Sequence, residues 1–328
     1  MAGSQNSGNS TAFIEAQQYS AFILSQLHDG IMPEQFYRNV NDFGSGSTLN
    51  IKTIGSATIQ EASDEVPLIY NPIDTSSVTL SITDYVGDAW SVSDILRQDG
   101  SQIESLMAMR GQEATRAIQE HFETRFYEVA DAAQTADDNN SVNGFAHRGV
   151  ASGTNDILTQ DDLVAMKLSF DKANVPQMGR IAVVDPVVEA TLNKLVQFTS
   201  TRSLDYDPKF RSILESGFAN QHKFLFNLYG FDFWTSNRLP SPADTALPEL
   251  GGANATDVSS GYVSNLFMCV ADDNTRPVMA AWRQQPSVEG ERNKDLARDE
   301  FVTRARWGLG AQRVDTLGVL CTSATATE

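Results

Sequence analysis

Cysteine and histidine are scarce in this chain. Two cysteines in 328 residues, Cys269 and Cys321, are too few and too far apart for a disulfide framework or a zinc knuckle. The four histidines, His28, His121, His147 and His222, never fall at metal-ligand spacing, and none adjoins a cysteine. They read as surface or helix-face residues. No run approaches the roughly 18 apolar residues that span a bilayer, so no membrane partner is expected. The opening MAGSQNSGNS has neither a basic start nor an apolar run, and no secretory signal is read there. Basic residues are also in deficit: 24 Lys and Arg face 42 Asp and Glu, a net charge of −18. Such a surface repels phosphate at long range, which excludes whole-chain nucleic-acid binding. Apolar bulk is what the chain has in quantity. With 41% hydrophobic residues, including 17 Phe, 8 Tyr and 4 Trp, it is not a disordered polymer. Its length suits one large domain or two ordinary ones. The expectation is a soluble, acidic protein compatible with a reducing compartment.

Apolar periodicity divides the chain. Met1 to Ser10 is small and polar, an end or an arm ordered by a neighbour. Phe13 to Leu27 has an amphipathic helical rhythm, and Ile31 to Val40 reads as an irregular connector. From Thr48 to Trp90 the texture is β: Thr48–Thr53 and Ser77–Thr83 alternate, with Val78, Leu80 and Ile82 on one face. Between these runs Ile59 to Pro67 forms an acidic turn, so a long two-stranded ribbon is expected. A lone ribbon is marginal in water and must lean on this subunit or the next. A short helix capped by Asp94 precedes a long one from Gln102, where apolar residues from Ile103 to Val129 recur at three- and four-residue steps. Ile103, Leu106, Ile118, Phe122 and Phe126 are its expected buried stripe. After a polar loop from Asp137 to Gly153 the order is helix (Leu163–Ala173, capped by Thr159 to Asp162), buried strand (Arg180–Val184) and helix from Asp185-Pro186. Phe198 to Asp207 reads as a polar loop, Phe224 to Thr235 as strand around a Gly230 turn, and Pro240 to Ser260 as a surface excursion. Strands are expected over Val263–Ala271, Val278–Gln284, Glu300–Trp307 and Val314–Cys321. There is no internal repeat.

The motifs of chemistry fail one by one. Gly44-Ser45-Gly46-Ser47-Thr48 lacks the lysine of a phosphate loop. Gly308-Leu309-Gly310-Ala311 follows a strand but opens no helix, so it fails as a dinucleotide site. If Asn139 were the first ligand of a calcium loop, Val150 would stand where a bidentate Glu is required. There is no Gly-x-Ser-x-Gly elbow and no His-Glu-x-x-His. Cys269 lies in an apolar run, where a buried small hydrophobe is the ordinary reading; a Cys–His nucleophile has no support beside it. No catalytic, cofactor-binding or metal-ligating residue is assigned, and the chain is not read as an enzyme.

Charge placement is informative. Ser45 to Val92 holds six acids (Glu61, Asp64, Glu65, Asp74, Asp84, Asp88) and one base, Lys52, a net of −5. Arg276 to Arg313 holds eight bases and five acids, a net of +3. An acidic ribbon and a basic, strand-rich region look like two halves of a head-to-tail contact between copies. Glu61, Asp64 and Glu65 on one side and Arg298, Arg304 and Arg306 on the other are the expected partners. Solvated faces with no partner are the plain alternative.

The order of parts resembles the major capsid proteins of tailed phages, with their Hong Kong 97-type α+β fold. The local likenesses are Asp99-Gly100 with the helix from Gln102, Val175-Pro176-Gln177-Met178-Gly179-Arg180 through Val184-Asp185-Pro186, and Arg298-Asp299-Glu300-Phe301-Val302-Thr303-Arg304. The first two are similar to strings in podovirus-type capsid proteins of marine and cyanobacterial phages. The resemblance spans roughly Phe13 to Thr322. It implies an N-terminal arm at 1–43, an extended E-loop ribbon at 44–91, a P-domain with the spine helix at 92–144 and an A-domain at 145–275. P-domain strands return at 276–309 around a loop at Glu289–Arg298, and 310–328 returns to the A-domain and forms the tail. The implied function is self-assembly, as hexamers and pentamers, into the icosahedral head of a double-stranded DNA phage. A non-viral nanocompartment shell of the same fold is the alternative. The implied location is the virion, after assembly in the host cytoplasm. The implied partners are further copies, a portal protein at one vertex and, in some relatives, a decoration protein. Relatives with a fused scaffold carry about a hundred extra helical residues in front, so a separate scaffolding protein is expected. DNA would be enclosed without sequence-specific binding. Covalent cross-linking, known in one branch, needs a lysine near the ribbon tip, an Asn acceptor and an acid. Asn293 and Glu300 could serve, but Lys52 lies near the ribbon base, so cross-linking is expected to be absent.

Overall fold

The computed structural model describes residues 32–40, 46–55, 59–61, 64, 69–73, 75–100, 103–134, 140–203, 224–250, 252 and 255–326. The helix expected over Phe13–Leu27 lies outside them. After a 3-10 turn at Glu34–Phe36, the chain runs through β1 (Arg38–Asn39), β2 (Thr48–Ile54), β3 (Thr75–Ser81), β4 (Asp84–Ser93), α1 (Asp94–Asp99) and α2 (Ile103–Ala133). It continues through β5 (Arg148–Val150), α3 (Gln160–Lys172), β6 (Arg180–Val184), α4 (Pro186–Ser203), β7 (Phe224–Leu228) and β8 (Phe231–Thr235). Then follow β9 (Ala246–Pro248), β10 (Ala255–Asp257), β11 (Tyr262–Cys269), β12 (Val278–Asn293), β13 (Arg298–Ala311) and β14 (Leu317–Ser323).

Two sheets carry the body. One has the order β1-β12-β13-β4, the other β5-β14-β11-β6-β8-β7. Helix α2 is 31 residues long, about 46 Å at 1.5 Å per residue, and it serves both. Its Ile118, Phe122, Phe126, Tyr127 and Ala130 join one core with Ala280, Ala305 and Trp307 of the first sheet and Ile181, Val183, Leu266 and Val319 of the second. Phe122 is the hub, with ring centroids 4.6 Å from Trp282, 5.6 Å from Trp307 and 5.3 Å from Tyr37. The opposite face of the six-stranded sheet, with Ala182, Val184, Phe231, Phe233 and Phe267, is covered by Leu163, Met166 and Phe170 of α3 and by Val188 and Leu192 of α4. A strand buried on both faces needs an unbroken apolar run, which explains Ile181 to Val184.

Local chemistry sets the boundaries. Thr159 caps α3 in a reciprocal box: its hydroxyl accepts from the Asp162 N–H, and the Asp162 carboxylate accepts from the Thr159 N–H at 2.8 Å. Asp185 Oδ2 accepts from Val187 N at 3.0 Å, with Pro186 in the first helical position of α4.

Several expectations are corrected. Ser93, not Asp94, caps α1: its hydroxyl accepts the Leu96 N–H, and Asp94 is the first helical residue. Leu106 is 47% exposed, and the buried stripe that joins α2 to the core begins only at Ile118. Helix α4 continues to Ser203, through the loop expected from Phe198. The span from Pro240 to Ser260 is not merely a surface excursion: it pairs β9 with β10 and buries Leu247 and Val258 in the main core. The loop expected over Glu289–Arg298 is mostly strand, since β12 and β13 pair out to Asn293↔Arg298. Exposure on both faces removes the alternation from that stretch. Asp84–Ser93 joins the four-stranded sheet rather than the ribbon.

Because Phe122 meets residues of both long strands and of the segment after Met32, Phe122→Ala should destabilise the fold by about 3–5 kcal/mol, as buried aromatic truncations do. A thermal-unfolding midpoint and soluble yield equal to those of the unmodified protein would contradict this packing.

Candidate functional site

The buried polar groups serve the architecture. Glu123, fully buried, accepts hydrogen bonds from Met32 N (3.3 Å), Tyr127 OH (3.0 Å), Ser236 Oγ (3.1 Å) and the Arg238 guanidinium (3.0 Å). Arg148, also buried, donates to Asp131 Oδ1 at 3.0 Å and through Nε to Asp244 at 2.7 Å. A buried charge with all its partners supplied holds three chain segments together and offers nothing to a substrate. Cys269 and Cys321 are buried thiols, and burial pushes Cys321 up to about 12, away from the reactive thiolate. His147 is buried rather than superficial, stacked 5.7 Å from Phe170, with Nδ1 3.2 Å from the Phe145 carbonyl. Desolvation lowers its pKa. Among the described residues no cluster of three His, Cys, Asp or Glu could hold a metal, and no helix is long and apolar enough to cross a membrane.

What the fold leaves open is a ribbon and a sheet. β2 and β3 pair antiparallel from Thr48↔Ser81 to Ile54↔Thr75. The base is anchored in its own subunit: Leu80 is buried with Met279, Ala281 and Val40. Toward the tip the Gln60 side chain donates to the Ile69 carbonyl (2.7 Å) and accepts the Ile69 N–H (3.0 Å), which ties the two arms together. Beyond the base several large apolar residues are exposed. Ile54, Ile59, Ile69, Tyr70 and Ile73 are each at least 74% exposed. Glu61 and Asp64 are exposed among them; Glu65 lies outside the described residues.

The four-stranded sheet turns one face to α2 and the other to solvent. Thr303, Ala305 and Trp307 point inward, while Arg304 and Arg306 are exposed on the outer face. Of the three expected arginines, Arg298 is engaged: its Nε donates to Glu300 at 2.7 Å. Asn293 Nδ2 donates to the same carboxylate at 3.0 Å, and these bonds, Arg298's first, hold Glu300 below its usual pKa. Arg304 and Arg306 form no ion pair among the described residues. Among the described residues, Glu61 and Asp64 form no ion pair with Arg298, Arg304 or Arg306. Sequence reasoning passed over the exposed isoleucines, although five large apolar residues in a polar turn were a visible signal.

A family model for phage capsid proteins matches residues 75–322. The chain belongs to the phage capsid protein family. No curated protein matches the sequence. Among solved structures it is similar to the capsid of cyanophage P-SCSP1u, at 17% identity over 94% of this chain and 92% of that one, with a TM-score of 0.63. It is similar to a chain of Mycobacterium phage Che8 at 16% identity, over 94% and 97% of the chains, TM-score 0.62. It is also similar to the capsid of a native GTA particle at 14% identity, over 98% and 99%, TM-score 0.58. At such identities these likenesses concern the fold, which is the Hong Kong 97-type α+β fold that the sequence resemblance implied. This phage capsid protein is a structural shell subunit and a virion component, and copies of it assemble with one another.

The end of the β12–β13 hairpin is clasped to α1. Arg292 grips both carboxylate oxygens of Asp94 (2.8 and 2.6 Å) and reaches Asp299 at 3.1 Å; Arg97 bonds Asp299 at 2.6 Å. The hydrogen bond from Arg292 holds Asp94 below its ordinary 3.8. A depressed carboxylate contributes stability above its ordinary pKa and loses it as pH falls through the lowered value. Arg292→Ala should therefore speed amide exchange in α1 at pH 7, and the unmodified protein should converge on the variant only below pH 3.8. Equal α1 exchange in the two proteins at pH 7 would contradict the clasp.

Proposed function

We propose that this capsid protein is the major subunit of the icosahedral head of a tailed double-stranded DNA phage, built as hexamers and pentamers through a ribbon that crosses to a neighbouring subunit. The ribbon is the observation that carries the reading. Its base is packed in its own subunit, while its tip exposes a set of large apolar side chains and the acids Glu61 and Asp64. In this reading residues 1–43 are the arm, 44–91 the E-loop with its closing strand β4 in the P-domain sheet, 92–144 and 276–309 the P-domain, and 145–275 with 310–328 the A-domain and tail. The subunit has no catalytic role. It assembles in the host cytoplasm with a separate scaffolding protein and a portal at one vertex, and its surface is open to a decoration protein. The net charge of −18 suits a wall along which packaged DNA slides rather than sticks. Nothing among the described residues favours the non-viral compartment.

The acids Glu61, Asp64 and Glu65 lie over the neighbour's Arg304 and Arg306, with Arg298 contributing less because Glu300 already holds it. An exposed ion pair is worth about 0–1 kcal/mol, so charge sets the register and burial of the isoleucines sets the strength. Reversing all three acids to lysine should impair particle formation, and reversing the three arginines to glutamate should partly restore it, as scored by sedimentation and electron microscopy. Normal assembly of the acid-reversed variant would overturn this contact. Particles boiled in denaturant should run as single chains near 35.9 kDa, since Lys52 sits low on the ribbon, opposite Ser77. A ladder of covalent multimers would contradict this.

A further inference from the structure

Between the segment 32–39, the middle of α2 and β12 lies a cavity of about 120 Å3 that opens to solvent. Aromatic rings from all three parts line it: Tyr37 from the connector before β1, Phe122 from α2 and Trp282 from β12. They form one continuous surface, with the Phe122 centroid 4.6 Å from that of Trp282 and 5.3 Å from that of Tyr37. The charge of the lining has one sign. Glu34 and Glu123 belong to it, and among the described residues no Lys, Arg or His does. The two carboxylates differ in availability. Glu123 is fully buried and already accepts from Met32, Tyr127, Ser236 and Arg238. Glu34 is exposed at the mouth and forms no hydrogen bond or ion pair among the described residues. Its charge is felt inside: burial first, and Glu34 second, raise the pKa of Tyr37. Around the rim stand the exposed amides of Asn39, Gln119 and Gln285, each with a carbonyl oxygen able to accept.

We propose that this cavity is a binding site for an aliphatic diamine or polyamine, entered by one terminal ammonium. Aromatic faces attract a cation through the ring quadrupole, and the free carboxylate of Glu34 adds a charge-assisted acceptor. An anionic ligand would meet two carboxylates and no base, and is repelled. The amide rim favours an ammonium that keeps its N–H groups over a quaternary one, which has none to donate. Size decides the rest. The 120 Å3 is room for about four waters, far below the roughly 300–1,000 Å3 of a site for drug-sized ligands. It admits an amine head with a few methylenes laid against Phe122 and Trp282, while the second amine stays in water. A hard metal ion is disfavoured, because one available carboxylate beside aromatic walls lacks the oxygen ligands such a cation takes. The site goes beyond the capsid reading and does not rest on it. For a subunit of net charge −18, it supplies a specific hold on organic cations of the kind that also condense on DNA.

Isothermal titration calorimetry of the full-length protein with cadaverine tests this, beside 1,5-pentanediol as an uncharged chain of the same length and magnesium chloride as an inorganic dication. The site predicts saturable binding of one cadaverine per chain, no binding of the diol, and little competition from magnesium at equal concentration. Glu34→Gln should weaken cadaverine binding at least about tenfold, the loss expected when a charged acceptor becomes neutral. Gln285→Lys, which places a resident ammonium at the rim, should abolish it. Both positions are exposed, so both variants should keep the thermal midpoint of the unmodified protein. Binding that magnesium displaces equally, or that both variants retain, would mark diffuse attraction to the acidic surface and overturn the proposal. The absence of saturable binding would overturn it too, and each of these results leaves the capsid reading intact.

Discussion

A carboxylate removed from water organises this subunit. Glu123 lies in the middle of α2 and is satisfied by donors from the segment at Met32, from Tyr127 one turn along, and from Ser236 and Arg238 after β8. Burying such a charge costs several kcal/mol unless every lone pair is used, so these segments are tolerated in one arrangement only. The apolar face of the same helix supplies the strength, through Phe122 and Phe126 against Trp307 and the strands of both sheets. Arg148 repeats the device near the end of α2, joining β5 to Asp131 and Asp244. Both sheets are thereby packed against a single helix.

A shell needs a subunit body held in one arrangement, and the surfaces proposed for assembly are those the core leaves exposed. The ribbon tip displays isoleucines, and the outer sheet face displays Arg304 and Arg306, which form no ion pair among the described residues. Each becomes favourable when repeated over many copies, so modest contacts suffice for a closed particle. A preformed body with an extended arm also makes assembly sensitive to register, a role suited to weak surface charges.

The elements with strong periodicity were legible in the sequence. The three- and four-residue steps from Ile103 to Val129, the apolar run Arg180–Val184 and the alternation at Val78–Ile82 led to α2, β6 and the ribbon, because one buried face or two leave a direct pattern. Half-exposed elements were not legible. The outer parts of β12 and β13 carry charge on both faces, so Glu289 to Asn293 reads as loop until the pairing with β13 is known. The fold class was accessible through order and resemblance rather than through any single motif. For the assembly surface, the charges themselves were visible, but their availability was not. Arg298 is held by Glu300, two residues along the same strand, and Arg292 by Asp94 of α1, a pairing that depends on a tertiary contact composition cannot supply. His147 was misread as superficial because a single histidine between Ala146 and Arg148 carries no sign of the Phe170 ring above it.

The central claim is that the ribbon belongs to the neighbour's surface as much as to its own subunit. An electron cryomicroscopy map of closed particles, clear enough to trace the chain from Thr48 to Ser81, tests it most directly. The account predicts that Ile54, Ile59, Ile69, Tyr70 and Ile73 lie buried against an adjacent subunit, near its β13. A ribbon folded back along its own sheet, or projecting into solvent with those side chains uncovered, would contradict it.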